Sequence, residues 1–266
     1  MLFVGVDLAW SDKNGSGVAV IEGDRKGGRF LSGKVLFSDE EIIDFIKRYV
    51  GDESALIAVD APLVVPNERG RRDAEKLVGL LFRGYNAGAH PANRKRLSQW
   101  SGKVRGEEIA KLIEGIGFVH NPYIERFEET RAFFEVYPHP SMVVLFNLDR
   151  IIQYKSKPKR DYEFRWREFE RYQNYLKSLG NAEPSLTLPE EITERNVRDL
   201  RNRELKDFED LLDAVFCAYI AYYCWVKPER CAVLGDLERG YILTPVFEHM
   251  KKRLRGIEAQ RRLSDF

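Results

Sequence analysis

Asp7, Asp60, Asp210 and Asp213 stand where a globular chain does not ordinarily put a charge. Asp7 follows the apolar run Val4-Gly5-Val6, and Asp60 follows Leu56-Ile57-Ala58-Val59. Asp213 lies among Leu211, Leu212, Ala214, Val215 and Phe216, with Asp210 three residues before it on the same helical face. A carboxylate is costly to bury unless it is paired, hydrogen-bonded or bound to a cation. Several such placements in one chain point to a shared site, and a divalent metal is the simplest partner for all of them. With two Mg²⁺ or Mn²⁺ ions about 3.5–4 Å apart, such a cluster becomes a template for in-line phosphoryl transfer. One ion would generate hydroxide and the other would stabilise the leaving oxygen. Oxygen-only ligands suit Mg²⁺ and Mn²⁺, and the lack of Cys or His at these positions argues against zinc. Glu135, after Ala132-Phe133-Phe134, is expected to join the set, with an ion pair to an arginine as its alternative. The competing roles for the others are a turn cap for Asp7, a turn before Pro62 for Asp60, a first-turn helix charge for Asp210 and an internal arginine partner for Asp213.

These side chains need elements that bring them together. Residues 3–8 alternate as a strand, Asn14-Gly15-Ser16-Gly17 turns, and residues 18–21 return as a second strand. Gly27-Gly28 leads to a third strand around 30–37. Ser38 with Glu41 is a capping box that opens a helix through Ile42, Ile43, Phe45 and Ile46. Residues 54–59 form a short continuous apolar run, as expected of a parallel strand covered on both faces. The order β-β-β-α-β makes a mixed sheet, and the helical crossover sets the fourth strand parallel to the first. Residues 132–137 are a fifth strand, stopped by Pro138. Ligands of open α/β sheets bind beyond the carboxyl ends of the strands, the end where Asp7 and Asp60 lie. A helical, arginine-rich insertion is predicted over about 66–122, a helical segment over 161–179 and a loop over 180–189. A strongly apolar helix is predicted over about 207–225. A hairpin around Gly235-Asp236 and Gly240 and a basic amphipathic helix complete the chain.

The arginines of the insertion follow closely after Asp60. Arg72, Arg83, Arg94 and Arg96 are candidates for phosphate contact, with Tyr85 and Trp100 for base stacking. The alternative is an ordinary solvated helical surface. The basic segment Lys155-Ser156-Lys157-Pro158-Lys159-Arg160 reads as an exposed loop. His90 and His139, each beside a proline, are weak candidates for proton transfer. Across 266 residues the chain is 44% hydrophobic, 12% aromatic and 32% charged, with a net formal charge of +1. That composition fits a globular protein and leaves any basic surface local. Cys217, Cys224 and Cys231 lack the close paired spacing of a zinc site and read as reduced packing residues. No apolar run approaches the roughly 20 residues that span a bilayer. Without a basic leader and cleavage site, a cytoplasmic protein with no membrane partner is expected.

Gly5-Val6-Asp7, Val59-Asp60-Ala61-Pro62-Leu63, Glu135-Val136-Tyr137-Pro138, Asp210-x-x-Asp213-Ala214 and Gly235-Asp236…Gly240-Tyr241-Ile242…Pro245 together resemble the domain of unknown function 429 family (DUF429). Its members are described as predicted nucleases of the ribonuclease-H-like fold. More broadly the chain is similar to the RuvC-type resolvases. Those enzymes have an Asp on strand one, an acidic residue at strand four and an Asp-x-x-Asp on the last core helix. The matching positions here are Asp7, Asp60, Asp210 and Asp213, with Asp at strand four where the resolvases use Glu. The resemblance implies a single ribonuclease-H-like α/β domain over 1–266, a mixed five-stranded sheet flanked by helices, with the helical insertion and a C-terminal hairpin. It implies a Mg²⁺- or Mn²⁺-dependent nuclease, a hydrolase acting on DNA or RNA. Two alternatives stand beside it. One is an ATP-dependent phosphotransferase of the actin and sugar-kinase superfamily, against which the chain has no second phosphate loop. The other is a non-catalytic nucleic-acid-binding protein.

Overall fold

From Leu2 to Val6 every residue of β1 (Leu2–Asp7) is buried, so the strand must lie inside a sheet covered on both faces. The computed structural model, which describes residues 1–11, 13–99 and 101–264, puts it at the centre. β2 (Ser16–Gly23) and β3 (Gly28–Leu36) continue from β1 as an antiparallel meander. α1 (Asp39–Val50) opens on the Ser38–Glu41 capping box, and its crossover sets β4 (Ala55–Val59) parallel to β1. The insertion holds α2 (Asp73–Phe82), the short α3 (Arg94–Leu97) and α4 (Arg105–Gly115). It ends at β5 (Val119–His120), and β6 (Arg131–Glu135) then pairs parallel to β4.

Beyond β6 come α5 (Pro138–Leu145), α6 (Tyr162–Ser178), β7 (Leu186–Thr187) and α7 (Glu190–Thr193). The long α8 (Asn202–Val226) follows, then an antiparallel hairpin of β8 (Cys231–Asp236) and β9 (Gly240–Pro245), and α9 (Glu248–Ser264). The result is a mixed α/β architecture with a mostly parallel central sheet in the order β5-β6-β4-β1-β2-β3-β7. Among the described residues the central sheet has seven strands where five were expected. The extra pair, β5 and β7, are two-residue edge additions too short to carry a periodic signal. Among the described residues no helix is long and apolar enough to cross a membrane.

The two faces of the sheet are packed differently. Val4, Val6, Ile57 and Val59 meet α1 and α4, whereas Phe3, Ala58 and Val136 meet α8. α8 approaches the sheet so closely that a Cβ on Gly5 would stand 1.9 Å from the Ala214 carbonyl oxygen. A Cβ on Gly17 would stand equally close to the Asp210 carbonyl oxygen. The two glycines therefore let the backbone of α8 rest on β1 and β2, which brings Asp210 and Asp213 down to the level of Asp7.

Candidate active site

Strand register explains which acidic residues meet. Val6 is level with Val59, and the Asp60 N–H donates to the Val6 carbonyl at 2.8 Å. Asp7 and Asp60 therefore stand side by side, one residue beyond that pair. Alternation turns both toward α8, away from the face of Val6 and Val59. Asp210 and Asp213 come to meet them from α8. The fold thus brings together all four aspartates singled out from the sequence. A cleft of ≈ 440 Å³ opens over them, with Asp7, Asp60 and Asp210 in its wall. Asp213 lies beneath the floor, with no exposed surface.

The electrostatics of this floor are those of crowded anions. Burial raises the Asp7 pKa, Asp213 raises it further, and Lys155 and Lys206 oppose the shift. Asp60 is held well above the ordinary carboxylate range, first by burial and then by Asp7. Asp210 is pushed up to about 8 by burial and by Asp7, against the pull of Lys206. A hydrogen bond also links the Asp7 and Asp210 carboxyl groups.

Two lysines supply the local positive charge. Lys155 Nζ lies 2.8 Å from Asp213 Oδ2. Burial disfavours this ammonium, but Asp213, Asp7 and Asp60 outweigh that effect and hold it firmly charged. Asp213 Oδ1 accepts from the Tyr154 hydroxyl at 2.5 Å and the Tyr172 hydroxyl at 3.3 Å. Asp213 Oδ2 is buried with no hydrogen-bond partner, so its contact with Lys155 is an ion pair alone. Lys206 pairs with Asp210 and reaches Glu209 at 2.9 Å, while Arg165 meets Glu209 at 3.5 Å. Four aspartates face two lysines, which leaves two negative charges uncompensated when all are ionised. In the metal-free protein, protons meet that excess, and the raised pKa values express it.

The donor set fits a hard divalent cation. The acceptors are carboxylate oxygens, the unmatched charge equals that of one such ion, and Asp213 Oδ2 lacks a hydrogen-bond donor. Among the described residues, however, no three His, Cys, Asp or Glu side chains are gathered closely enough to hold an ion. The Lys155 ammonium stands against Asp213 in that arrangement.

Glu135 departs from the expected set. It is level with Val59 rather than Asp60, so alternation sends its side chain to the other face of the sheet. There Arg72 donates to both of its oxygens, at 2.6 and 2.9 Å, and the Leu63 N–H donates at 3.0 Å. Arg72 also binds Glu75 at 2.8 Å and the Val64 carbonyl at 2.8 Å, and only 3% of its surface is exposed. Arg72, expected to contact substrate phosphate, is the hub of a buried ion triad in the wall of the cleft, its donors engaged by Glu75, Glu135 and Val64. Tyr85, expected to stack on a base, packs against Phe82 and Phe247 and does not line the cleft. Arg94 is held bidentately by Glu107, and Arg83 is exposed but does not line the cleft. Arg96 lies over the ring of Trp10, which lines the cleft. Trp100 lies outside the described residues.

Lys155, Lys206, Tyr154 and Trp10 were not singled out as site residues. The basic run from Lys155 was read as surface, yet its first lysine turns inward because the preceding Tyr154 is fully buried. An aromatic residue directly before a charged run was the available signal. His139 lines the cleft with its Nδ1 unpartnered. Burial, reinforced by Lys155, presses its pKa down to about 3, so it is neutral near pH 7 and a poor base.

A family model described as "Protein of unknown function (DUF429)" matches residues 5–239, a span that contains all four aspartates and both lysines. No curated protein matches the chain.

Proposed function

We propose that this chain, which belongs to the DUF429 family of proteins of unknown function, is a divalent-metal-dependent nuclease of ribonuclease-H-like fold. The observation that carries the reading is the excess of negative charge at the floor of an open cleft, beyond the carboxyl ends of β1 and β4. The meander, the parallel fourth strand and the acidic pair on a helix across the sheet support the likeness to RuvC-type resolvases. Asp7, Asp60 and Asp210 would hold Mg²⁺ or Mn²⁺, with Asp213 joining them when Lys155 leaves its ion pair. When bound, the cation supplies an activated water and charge for the leaving oxygen. Lys155 and Lys206 offset the repulsion among the aspartates. Lys155, released from Asp213, is close enough to the cleft to meet a phosphate oxygen. The low pKa of His139 excludes it as general base near neutrality.

Calorimetry with Mn²⁺, followed by cleavage assays on single-stranded, hybrid and branched substrates, tests the proposal. Uptake of Mn²⁺ and cleavage are expected, both lost in Asp7→Asn. Cleavage that persists in that variant would refute the assignment. One observation favours a second reading, a non-catalytic nucleic-acid-binding protein: Lys155 already neutralises Asp213. Absence of Mn²⁺ uptake would support that reading over hydrolysis.

A further inference from the structure

The aspartates at the floor leave open what holds a substrate above them. The mouth of the same cleft carries the opposite charge. Trp10, three residues past Asp7, lines the cleft with 39% of its surface exposed. The Arg96 guanidinium carbon lies 5.3 Å from the centre of its ring. His90 lines the mouth as well. Lys157 lines the cleft beside it, and after burial both Arg96 and Lys157 press the His90 pKa down. They come from two separate segments: Arg96 from α3 and Lys157 from the loop before α6. Among the described residues neither makes an ion pair. Their neighbours are engaged: Arg94 by Glu107, and Arg160 by the Gln153 side chain and the carbonyls of Gln153 and Lys155. Cations gathered without a counterion repel one another, and the entry of an anion relieves that repulsion.

We propose that this mouth takes one unstacked nucleotide of a single-stranded nucleic acid, its base lying on Trp10 and its adjoining phosphate held by Arg96 and Lys157. The inference rests on the nuclease reading of the floor and names its substrate class. An exposed indole can only stack on a base whose face is free, and in a duplex each interior base is covered on both faces by its neighbours. A cleft of ≈ 440 Å³ lies in the size range of a single small ligand, enough for one nucleotide and too small for a double helix. Arg96 serves twice, as the cation over the indole and as part of the phosphate cradle. Neither role reads base identity, so stacking and charge alone would give little sequence preference.

The test is fluorescence anisotropy in EDTA, with a short labelled oligothymidine and a hairpin duplex as probes, beside Mn²⁺ calorimetry of the same protein. The single strand should bind at least about tenfold more tightly than the duplex, and Trp10→Ala should weaken it at least about fivefold. Lys157→Ala should lower the slope of log affinity against log salt by about 0.7, the value for one phosphate contact on a single strand. Should Trp10→Ala fail to fold, Lys157→Ala decides, because that side chain is exposed. Equal affinity for the duplex, or unchanged binding by Trp10→Ala or an unchanged salt slope in Lys157→Ala, overturns the inference even if Mn²⁺ binds. Trp10-dependent binding of single strands without Mn²⁺ uptake upholds the mouth and overturns the nuclease reading of the floor.

Discussion

Replacing Arg72 by Met separates a structural ion cluster from the proposed metal floor. In the native protein Arg72 donates to both oxygens of Glu135, to Glu75 and to the Val64 carbonyl. The side chains of Arg72, Glu75 and Glu135 are at most 3% exposed. Methionine fills similar volume but leaves two buried carboxylates facing each other without a cation. Breaking one buried pair costs about 3–5 kcal/mol, because the remaining charge has neither partner nor water. For a chain of this size each kcal/mol shifts the melting temperature by about 2–4 °C, so a fall on the order of 10 °C is expected. The fall should depend on pH. Burial already raises the Glu135 pKa while Arg72 opposes it, so without Arg72 the pKa rises further. A carboxyl whose folded pKa is raised loses stability as pH rises from its unfolded value through its folded one. The deficit should therefore be larger at pH 8 than at pH 5. Differential scanning calorimetry at the two pH values, with a Mn²⁺ titration of the folded variant, measures both effects. An unchanged melting temperature would refute the structural role of the triad. Loss of Mn²⁺ binding in a stably folded Glu135→Gln protein would return Glu135 to the ligand set.

Two further predictions follow from the floor and its support. In EDTA, Asp60 and Asp210 have folded pKa values raised above their unfolded ones, so native stability should fall as pH rises from about 4 through about 8. Mn²⁺ should recover that loss at pH 8 and have little effect at pH 5, as thermal melts would register; a pH-independent gain would contradict the proton-for-metal exchange. Gly5→Ala should destabilise the protein by at least about 3 kcal/mol in urea unfolding, since its Cβ would meet the backbone of α8 at 1.9 Å and helix and strand would have to separate. A loss below about 1 kcal/mol would mean that α8 does not need that close approach.

The convergence of Asp7 and Asp60 was legible in the sequence because two local signals agreed. The capping box and apolar face of α1 required a crossover, and a crossover makes β4 parallel to β1 with their carboxyl ends together. Asp213 was legible because almost everything around it in α8 is apolar. Glu135 takes the alternative read for it, an ion pair to an arginine, because of one step of register. It sits near the end of its strand just as Asp60 sits past the end of β4, but period-two alternation makes a single step of register a change of face. The partners of Arg72 were hidden for a related reason. A basic residue beside an acidic cluster has the same composition whether it faces substrate or a neighbouring carboxylate, and only the distant pairing with Glu135, 63 residues along the chain, decides. β5 and β7 carried no signal, since two residues form no pattern.

Lys155 shows why the floor itself could not be read from the sequence, and what its burial accomplishes. A lysine in a basic run ordinarily stays in water, because the ammonium loses more by desolvation than one carboxylate returns. Here three aspartates act on it together and reverse that sign. None of those aspartates would be buried in charged form alone, so neither the lysine nor the carboxylates can be assigned from local sequence; each is stable only once the others are in place. Tyr154 fixes the arrangement, since its fully buried ring anchors the loop and its hydroxyl orients Asp213 toward the ammonium. The same aromatic contact that makes a surface-like lysine turn inward therefore also sets the geometry of the acidic residue beneath it. Because the two lysines leave the cluster two charges short of neutrality, the floor folds without an added cation yet keeps the charge excess on which the proposed metal site rests.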